Sequence, residues 1–414
     1  MLNDLFPQAH NRYRSLRLLG PILDDFVDWL VEKGYAYSTR KLHLKRCISI
    51  EKYFWKRKQR NYSTLTLEAF GKCWQFFQGS PSGTSNTVTC LQHFLQQRQI
   101  LAASSPPLAT SSTRMIDAYR RYLTEVKGLA PMTITQHCWR ASEFLEYALR
   151  KNKAFRIVDL SQAHVETFIT SVSPRFQRST LQHVVAQIRG FLRFLAMIGE
   201  VPKDFGFQVD TPRVYRLEQL PRAIGWDTVC AFLKSIDRTN THGVRDYAML
   251  LLITTYGLRA CDIASLQLND INWRGGEIRI KQTKTGHPHK LPLTDPVAEA
   301  LLEYLRNGRP TSHHREVFLS LRAPTRPMSR IAVGHVYRSR AMLSDLDIPF
   351  LGLHSLRHSY AVNLLRQGES LKNIGDVLGH RSTESTCVYL RLSLDDLREV
   401  GLPLPSVSTE EILS

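Results

Sequence analysis

The sequence contains no apolar run long enough to cross a membrane. The longest such run, YAMLLLITTYGL at 247–258, falls well short of the roughly 20 residues that a spanning helix needs. The opening residues, MLNDLFPQAHNRYRS, do not show the basic and then apolar layout of a secretory signal. We therefore expect a cytoplasmic protein with no membrane partner.

Cysteine pairs at metal-ligand or redox spacing are also lacking. The seven cysteines are scattered and include no CxxC pair, which argues against a zinc knuckle and a disulfide framework. Two histidine pairs, His287 with His289 and His313 with His314, have no Cys or acidic partner at ligand spacing. We interpret these histidines as loop residues that contact solvent or phosphate, and we expect neither a metal nor a cofactor.

Acidic residues are in short supply. The chain has 37 Asp and Glu against 55 Lys and Arg, which gives a net charge of +18 and a pI near 9.7. This excess does not specify a fold, but it attracts polyanions. Because a membrane surface is a weak alternative, nucleic acid is the first candidate partner.

What is present is mainly helical periodicity, divided by two linker-like segments. The first, LAASSPPLATSST at 101–113, is rich in Ser, Pro and Ala, and the second, at 201–225, carries several prolines. Both lack an amphipathic pattern, which is typical of connecting segments. The sequence therefore predicts three mainly helical parts and a short tail, with bounds at 1–104, 112–202, 221–403 and 404–414.

The first two parts resemble each other. ILDDFVDWLVEKGYAYST lines up with MIDAYRRYLTEVKGLAPMT, at an offset of 93 to 95 residues that persists downstream. The alignment pairs Phe26 with Tyr119, Leu30 with Leu123, and Arg46 with Arg140. Two amphipathic helical segments could share this similarity by chance, but we favour a duplicated helical module.

One segment of the first part has a basic face. RKLHLKRCISIEKYFWKRKQR at 40–60 contains nine basic residues and one acid, Glu51. On a helix, Cys47, Ile50 and Phe54 lie opposite the lysines. A solvated surface is the simpler interpretation, but a helix selected only for solubility usually mixes charges of both signs. We predict contact with the DNA backbone through Lys41, Lys45, Lys52 and Lys56.

The third part contains one stretch with the two-residue period of a strand. In GEIRIKQTKTGHPHKLPL at 276–293, isoleucines alternate with basic residues, a Thr-Gly pair supplies a turn, and KLPL begins a return strand. This pattern predicts a small antiparallel hairpin with Lys284 at its tip.

The segment HSLRHSY at 354–360 places two histidines and an arginine within five residues. A predicted buried stripe of the helix consists of Leu353, Leu356, Tyr360 and Leu364. His354, Arg357 and His358 then lie beside that stripe. Each one alone could be a half-buried polar residue at the helix rim.

Other segments supply partners for these residues. TTYGLRACD places Arg259 just after a glycine, with Asp262 three residues later. LKNIGDVLGH predicts a helix that Gly379 ends as a left-handed cap, so that His380 follows at once. Tyr389 lies nine residues beyond His380.

These residue types suit substitution at a phosphodiester without a metal. Arginine forks offer permanently charged, bidentate donors to phosphate oxygens. Histidine can donate a further hydrogen bond or accept a proton near neutral pH. A lysine can protonate the departing oxygen, and a tyrosine hydroxyl can serve as the nucleophile.

The motifs YGLR, TKTG, HSLRH and LGH, followed by Tyr389, have the order and spacing of the tyrosine recombinase (phage integrase) family. The chain resembles that family from about 220 to 400, and its second part resembles the family's helical core-binding domain more loosely. The resemblance implies a mainly α fold with a small antiparallel sheet, in which the catalytic domain follows two helical DNA-binding modules. The implied catalytic residues are Arg259, Lys284, His354, Arg357, His380 and Tyr389.

The resemblance also implies a role for each of these residues. Both arginines and His380 would clamp the scissile phosphate, and Tyr389 would form a 3′-phosphotyrosyl link. Lys284 would be the general acid and His354 would help to activate the nucleophile. Lys281 replaces Lys284 if the hairpin register is shifted.

Three polar or aromatic residues near these motifs have no implied catalytic role. His358 matches no catalytic position of the family, so we interpret it as a structural residue at the helix rim. Asp262 would orient Arg259 or cap a helix, and the stripe position of Tyr360 indicates the core.

The same resemblance implies double-stranded DNA as partner and a homotetramer acting on paired sites in a prokaryotic cytoplasm. Other recombinases or accessory proteins are further candidate partners, and the tail would dock on a neighbouring protomer. The extra upstream module departs from the usual family layout and suits a transposon-borne integrase that integrates or transposes a mobile element.

Two other functions are compatible with these motifs. The first is that of a catalytically silent DNA-binding regulator, which the intact set of six residues argues against. The second is that of a type IB topoisomerase-like relaxing enzyme, which the duplicated module and the TKTG hairpin argue against.

Overall fold

A computed structural model describes residues 2–101, 111–151, 155–201, 206, 209–215, 220–281, 288–380 and 382–392. The described chain is mainly helical and has a small antiparallel sheet, which confirms the predicted fold class. Contacts group it into two compact units: one takes in 1–65, 69–101 and 220 onward, and the other takes in 66–68 and 102–219. No helix within the described ranges is long and apolar enough to span a bilayer. The predicted tail at 404–414 lies outside these ranges.

The first part of the chain folds into six helices around one apolar core. Phe26 and Phe94 meet near its centre with their rings 5.3 Å apart. The helices are α1 (Leu2–Leu5), α2 (His10–Arg14), α3 (Gly20–Glu32), α4 (Tyr37–Lys56), α5 (Leu67–Phe77) and α6 (Thr84–Gln97). Helix α4 contains most of the basic segment 40–60 and ends at Lys56.

The second part has a core of its own, built by four helices. They are α7 (Ser111–Arg121), α8 (Pro131–Lys151), α9 (Gln162–Val172) and α10 (Arg178–Met197), and α7 continues into a wider turn at Tyr122–Val126. Tyr119 is fully buried and packs against Phe191, with 5.1 Å between ring centroids.

The two parts share an order of elements. Helices α3 to α6 of the first part correspond in order to α7 to α10 of the second part. Each set has a 3₁₀ turn between its second and third helices, at Tyr62–Thr64 and Ile157–Asp159. Phe26 and Tyr119, which the sequence alignment pairs, are both fully buried, and each packs against a phenylalanine of the last helix of its set. These matches agree with a duplicated module, which stays a prediction.

The third part packs its helices around α12, most of whose residues are buried. Its helices are α11 (Trp226–Lys234), α12 (Thr241–Tyr256), α13 (Ala260–Ser265), α14 (Asp295–Glu303), α15 (Arg330–Leu343), α16 (His354–Arg366), α17 (Leu371–Leu378) and α18 (Glu384–Cys387). A smaller apolar cluster joins α16, α17 and the segment that carries Tyr389.

The sheet has the order β1-β2-β3, with β1 at Ile271–Asn272, β2 at Glu277–Lys281 and β3 at Pro288–Pro292. Strands β2 and β3 are antiparallel, and Ile278 pairs with Leu291. The isoleucines of β2 are buried while its basic residues are exposed. The predicted hairpin is thus confirmed, since alternation along a strand places one face on the core.

Candidate functional site

Arg259 is positioned by the chain reversal that ends α12. Gly257 caps that helix in the left-handed conformation with φ of 62°, and a Cβ at this position would lie 2.5 Å from Leu378. Only glycine combines this conformation with so close an approach. Arg259 follows in extended conformation and begins α13.

Asp262 has both of the roles that its spacing indicated. Its carboxylate accepts a hydrogen bond from the backbone N–H of Arg259 at 3.2 Å and so caps α13. The same oxygen lies 4.0 Å from a guanidinium nitrogen of Arg259. Because Asp262 is buried and the Arg259 side chain is only 18% exposed, this contact restrains the position of the guanidinium.

Arg357 is a buried residue rather than a rim residue. Only 2% of its surface is exposed, and its guanidinium donates to the carbonyl oxygens of Gly257 at 2.5 Å and Leu378 at 2.7 Å. The buried side of α16 therefore differs from the predicted stripe: Leu356 is buried, whereas Leu353 and Tyr360 are only half-buried. Burial, followed by the charge of Arg259, lowers the pKa of Arg357 to about 10. The side chain therefore stays protonated at neutral pH next to a second cation.

The last four carbonyl groups of α17 are all hydrogen-bonded, and these bonds fix the position of His380, which follows the helix cap. Helix ends leave four carbonyls without helical partners. The carbonyls of Gly375 and Asp376 accept from the backbone N–H groups of His380 and Gly379 at 2.8 and 3.0 Å, and Leu378 accepts from Arg357. Gly379 has a φ of 63°, which confirms the predicted left-handed cap.

The fourth carbonyl of α17 is bound by a histidine from the sheet. Nε2 of His289 lies 3.1 Å from the carbonyl oxygen of Val377. The interpretation of His289 as a loop residue facing solvent or phosphate is therefore wrong, since it lies on β3 and ties that strand to α17. Its partner is 88 residues away along the chain, so sequence spacing gave no signal for this contact.

His380 lies between Thr386 and the ring of Tyr389. Its Nδ1 is 2.8 Å from the hydroxyl of Thr386, and its ring stacks on Tyr389 with centroids 6.3 Å apart. Burial, followed by the charges of Arg357 and Arg259, lowers the pKa of His380 to about 4. His380 is therefore neutral near pH 7, with one N–H to donate.

Tyr389 is buried in the 3₁₀ segment Val388–Leu392, with 2% of its surface exposed. Burial raises the pKa of its hydroxyl, while the charges of Arg357 and Arg259 and a hydrogen bond from Arg357 oppose that effect. The hydroxyl is thus protonated at neutral pH and lies beside two cations.

His358 contacts the hydroxyl of Tyr389, which the sequence analysis did not foresee. Its Nδ1 lies 3.2 Å from the phenolic oxygen, so His358 is more than a structural residue at the rim. His354 is exposed at the start of α16, and its ring contacts that of His358 edge-on, with 4.4 Å between centroids. The available signal was the spacing of the two histidines, four residues apart and hence on one helix face.

Lys284 lies outside the described residues. The strands on either side of it, β2 and β3, are described, and Lys281 at the end of β2 pairs with Pro288 and is exposed. The structure therefore brings five of the six predicted catalytic residues into one region of the third part, and the hairpin adjoins that region through His289.

The predicted basic face lies on α4. Lys45, Lys52 and Lys56 are exposed, while Lys41 is partly covered and its ammonium lies 4.8 Å from the ring of Tyr37. The opposite face is buried, as the apolar pattern predicted. Glu51 does not neutralise the lysines, because its buried carboxylate accepts the backbone N–H groups of Leu18 and Leu19 at 2.9 Å each.

A mainly helical fold with a small sheet, in which a buried tyrosine is surrounded by arginines and histidines, defines a tyrosine recombinase. Residues 226–395 match the family model described as the phage integrase family. A protein named integrase/recombinase y4rA, from Sinorhizobium fredii (strain NBRC 101917 / NGR234), is 31% identical over 386 residues, 92% of this chain and 93% of that protein. The chain therefore belongs to the phage integrase family of tyrosine-type site-specific recombinases.

Other similarities agree with this assignment. A tyrosine recombinase XerC from Pelobacter propionicus (strain DSM 2379 / NBRC 103807 / OttBd1) is 27% identical over 289 residues, 69% of this chain and 93% of that protein. Among solved structures, a lambda integrase tetramer bound to a Holliday junction has a similar fold. Its TM-score is 0.52 at 16% identity, with 73% of this chain and 85% of that chain covered.

Proposed function

We propose that this protein cuts and rejoins double-stranded DNA at specific sites through a covalent 3′-phosphotyrosyl intermediate on Tyr389. The observation that carries the proposal is a buried tyrosine hydroxyl on which the positive charges of Arg357 and Arg259 both act. A phosphodiester held by these two arginines would lie within reach of the tyrosine oxygen. Attack by that oxygen would form the P–O bond to tyrosine as the bond to the 5′ oxygen breaks.

Arg259, Arg357 and His380 would hold the scissile phosphate. The pentacoordinate transition state gathers negative charge on its non-bridging oxygens, and fixed donors aimed at that charge lower the barrier. The pKa of Arg357 is lowered in part by Arg259, so an anion shared by the two guanidiniums would relieve their repulsion. With Nδ1 bonded to Thr386, neutral His380 would offer its Nε2–H as a third donor.

The leaving group and the nucleophile each need a proton transfer. Lys284 would protonate the departing 5′ oxygen from the tip of the hairpin. His354, at the exposed end of the histidine pair, would help to activate the nucleophile. No step in this scheme needs a metal ion or ATP.

The assembly would be a homotetramer on two DNA sites, in which strands are exchanged in pairs through a four-way junction. Support comes from family membership and from the fold shared with the lambda integrase tetramer. Other recombinases or accessory proteins would be further partners. We place the protein on DNA in a prokaryotic cytoplasm, where it would integrate or transpose a mobile element.

The region upstream of the catalytic domain would grip DNA with two related modules, bounded at 1–104 and 112–202, ahead of a catalytic domain at 221–403. Support for the first module comes from the basic face of α4, formed by Lys41, Lys45, Lys52 and Lys56, and from the burial of the one acid of that segment. Lysine is a flexible point charge, so this face would follow phosphates rather than read bases.

The proposal is tested with a suicide substrate, a target duplex nicked next to the cut so that the cleaved end diffuses away. The parent protein should accumulate a covalent DNA adduct on a denaturing gel. Tyr389→Phe removes only the hydroxyl, so it should bind the same DNA and form no adduct. An adduct of equal yield with Phe at 389 would refute the assignment, and absence of any adduct with the parent would favour a silent regulator.

A further inference from the structure

The hydroxyl of Tyr389 contacts a histidine for which the family motifs imply no role. Nδ1 of His358 lies 3.2 Å from the phenolic oxygen, and the two rings meet at 61° with centroids 5.5 Å apart. His358 comes one helical turn after His354, whose ring contacts it edge-on. His354 is exposed and His358 is half-buried, so the histidine nearer to the tyrosine is the more sheltered of the two.

The direction of this hydrogen bond follows from the partners of Tyr389. A buried hydroxyl is almost always hydrogen-bonded; Nδ1 of His358 lies within hydrogen-bond distance of it, and the positive charge of Arg357 acts on it. Arginine has only N–H donors. The phenolic hydrogen is therefore donated to Nδ1 of His358, which requires a neutral imidazole with its own hydrogen on Nε2.

The electrostatic surroundings keep His358 neutral, as this arrangement requires. Burial, followed by the charges of His354, Arg357 and His380, lowers the pKa of His358 to about 4. Near pH 7 the ring is thus a hydrogen-bond acceptor at one nitrogen. A proton on Nδ1 would add a further cation to a site that already holds two arginines.

We propose that His358 is a positioning residue for the nucleophile: its Nδ1 accepts the hydrogen of the Tyr389 hydroxyl and so turns a lone pair of that oxygen toward the two arginines. The inference rests on the proposed function, since it takes Tyr389 as the nucleophile. A phosphate held by Arg259 and Arg357 then meets a lone pair rather than a hydrogen. This orientation corresponds to the contact that the structure shows between Nδ1 of His358 and the phenolic oxygen.

The test compares three substitutions at one position. His358→Asn places an amide oxygen as many bonds from Cα as Nδ1, so it can accept the same hydrogen bond. His358→Gln carries its amide one bond further, and His358→Leu has no acceptor. The rate of single-turnover adduct formation is measured at saturating suicide substrate, together with the DNA dissociation constant and the thermal unfolding of each variant.

We expect His358→Asn to retain most of the parental cleavage rate. His358→Gln and His358→Leu should be slower by about 10- to 100-fold, the range produced by small misplacements of reacting groups. DNA affinity should be the same in all of them, because the residue acts on the nucleophile and not on binding. His335→Gln, an exposed histidine of α15, should cleave at the parental rate.

Two results would overturn the inference. One is parental cleavage by a folded His358→Leu protein. The other is equal loss in Asn and Gln variants that both fold and bind DNA, and this comparison decides even if the Leu variant does not fold. Failure of the proposed function would look different, because the parent protein would then form no adduct or Tyr389→Phe would form one.

Discussion

Arg357 joins two helix ends and places a charge beside the nucleophile. Five N–H donors lie in one plane, and this side chain donates to the carbonyl of Gly257 at the end of α12 and to the carbonyl of Leu378 at the end of α17. Its charge also acts on the hydroxyl of Tyr389. Helix C-termini carry partial negative charge, which favours a cation there. The same residue thus fixes the chain on which Arg259 and His380 lie and keeps a charge next to the nucleophile.

Arg357→Lys should therefore cost both stability and cleavage. A lysine can reach one carbonyl but not both, and a buried unpaired carbonyl costs about 1–3 kcal/mol. We expect a lower denaturation midpoint in urea and severe loss of adduct formation at saturating DNA. Arg259→Lys is the matched control, since the Arg259 side chain is less buried than that of Arg357; it should lose cleavage with little loss of stability. Equal stability of the two variants would contradict the structural role of Arg357.

Lys284→Ala should be rescued by a better leaving group. If Lys284 protonates the departing 5′ oxygen, a substrate with sulfur at that bridging position needs little protonation, and most of the lost rate of adduct formation should return. Arg259→Ala should gain much less from the sulfur, because its defect concerns charge on the non-bridging oxygens. Rescue of both variants alike, or of neither, would contradict the role assigned to Lys284.

For the individual residues, the sequence predicted which side chains would lie close together but not which contacts would hold each of them. Arg259, His354, Arg357, His380 and Tyr389 were identified from motifs and do occupy one region of the fold. Neither the burial of Arg357 nor the contact of His358 with Tyr389 could be foreseen, because both depend on chain segments that lie tens of residues apart.

Among the elements, α17 and the hairpin are joined most directly to the site. The last four carbonyl groups of α17 accept hydrogen bonds from three sources. The donors are the backbone of its own cap, Arg357 of α16, and His289 of β3. His380 follows this end immediately. Strand β3 and the helix that leads into His380 are therefore linked by one hydrogen bond.

His289→Ala should loosen that link and slow cleavage. Loss of the imidazole donor leaves the carbonyl of Val377 without its partner from β3, so we expect a several-fold to about 10-fold lower rate of adduct formation, with unchanged DNA affinity. Lys290→Ala is the matched control on the same strand, because Lys290 is exposed and its ammonium lies 3.7 Å from the carboxylate of Glu277. If the two variants cleave equally fast, the link has no part in catalysis.

The sequence was informative where an element has a local signal. Alternating isoleucines predicted β2, and the glycine after an apolar run predicted the cap of α17. The basic segment gave the face of α4 but not its bounds, Tyr37–Lys56, because helix ends depend on weak capping preferences. The contact between β3 and the end of α17 has no local signal in the sequence, and His289 was misinterpreted for that reason.

For the whole molecule, the sequence predicts that the first two parts are copies of one helical module, which would distinguish this chain from a minimal recombinase. The offset found in the sequence is matched by element order and by equivalent aromatic contacts in the two cores. Composition predicted an attraction to polyanions, and the structure adds that the acid of α4 is buried, which leaves its basic face uncompensated by that residue.

Replacing Lys41, Lys45, Lys52 and Lys56 with Gln should weaken binding to every duplex alike. Each phosphate contact adds roughly 0.9 to the slope of log affinity against log salt, so the slope should become flatter by about two to four units. Cleavage of a saturated suicide substrate should stay near the parental rate. A control with the same charge change uses exposed lysines outside α4: Lys72, Lys127, Lys234 and Lys372. A slope equal to that of the parent would mean that the α4 face is only solvated surface.

The most direct measurement is to identify the atom that carries the DNA. The adduct formed on a suicide substrate is digested with trypsin and nuclease, and the modified peptide is sequenced by mass spectrometry. The account predicts a nucleotide attached through its 3′ phosphate to Tyr389 and to no other tyrosine. A 5′ linkage, or attachment at a different residue such as Tyr360, would contradict it.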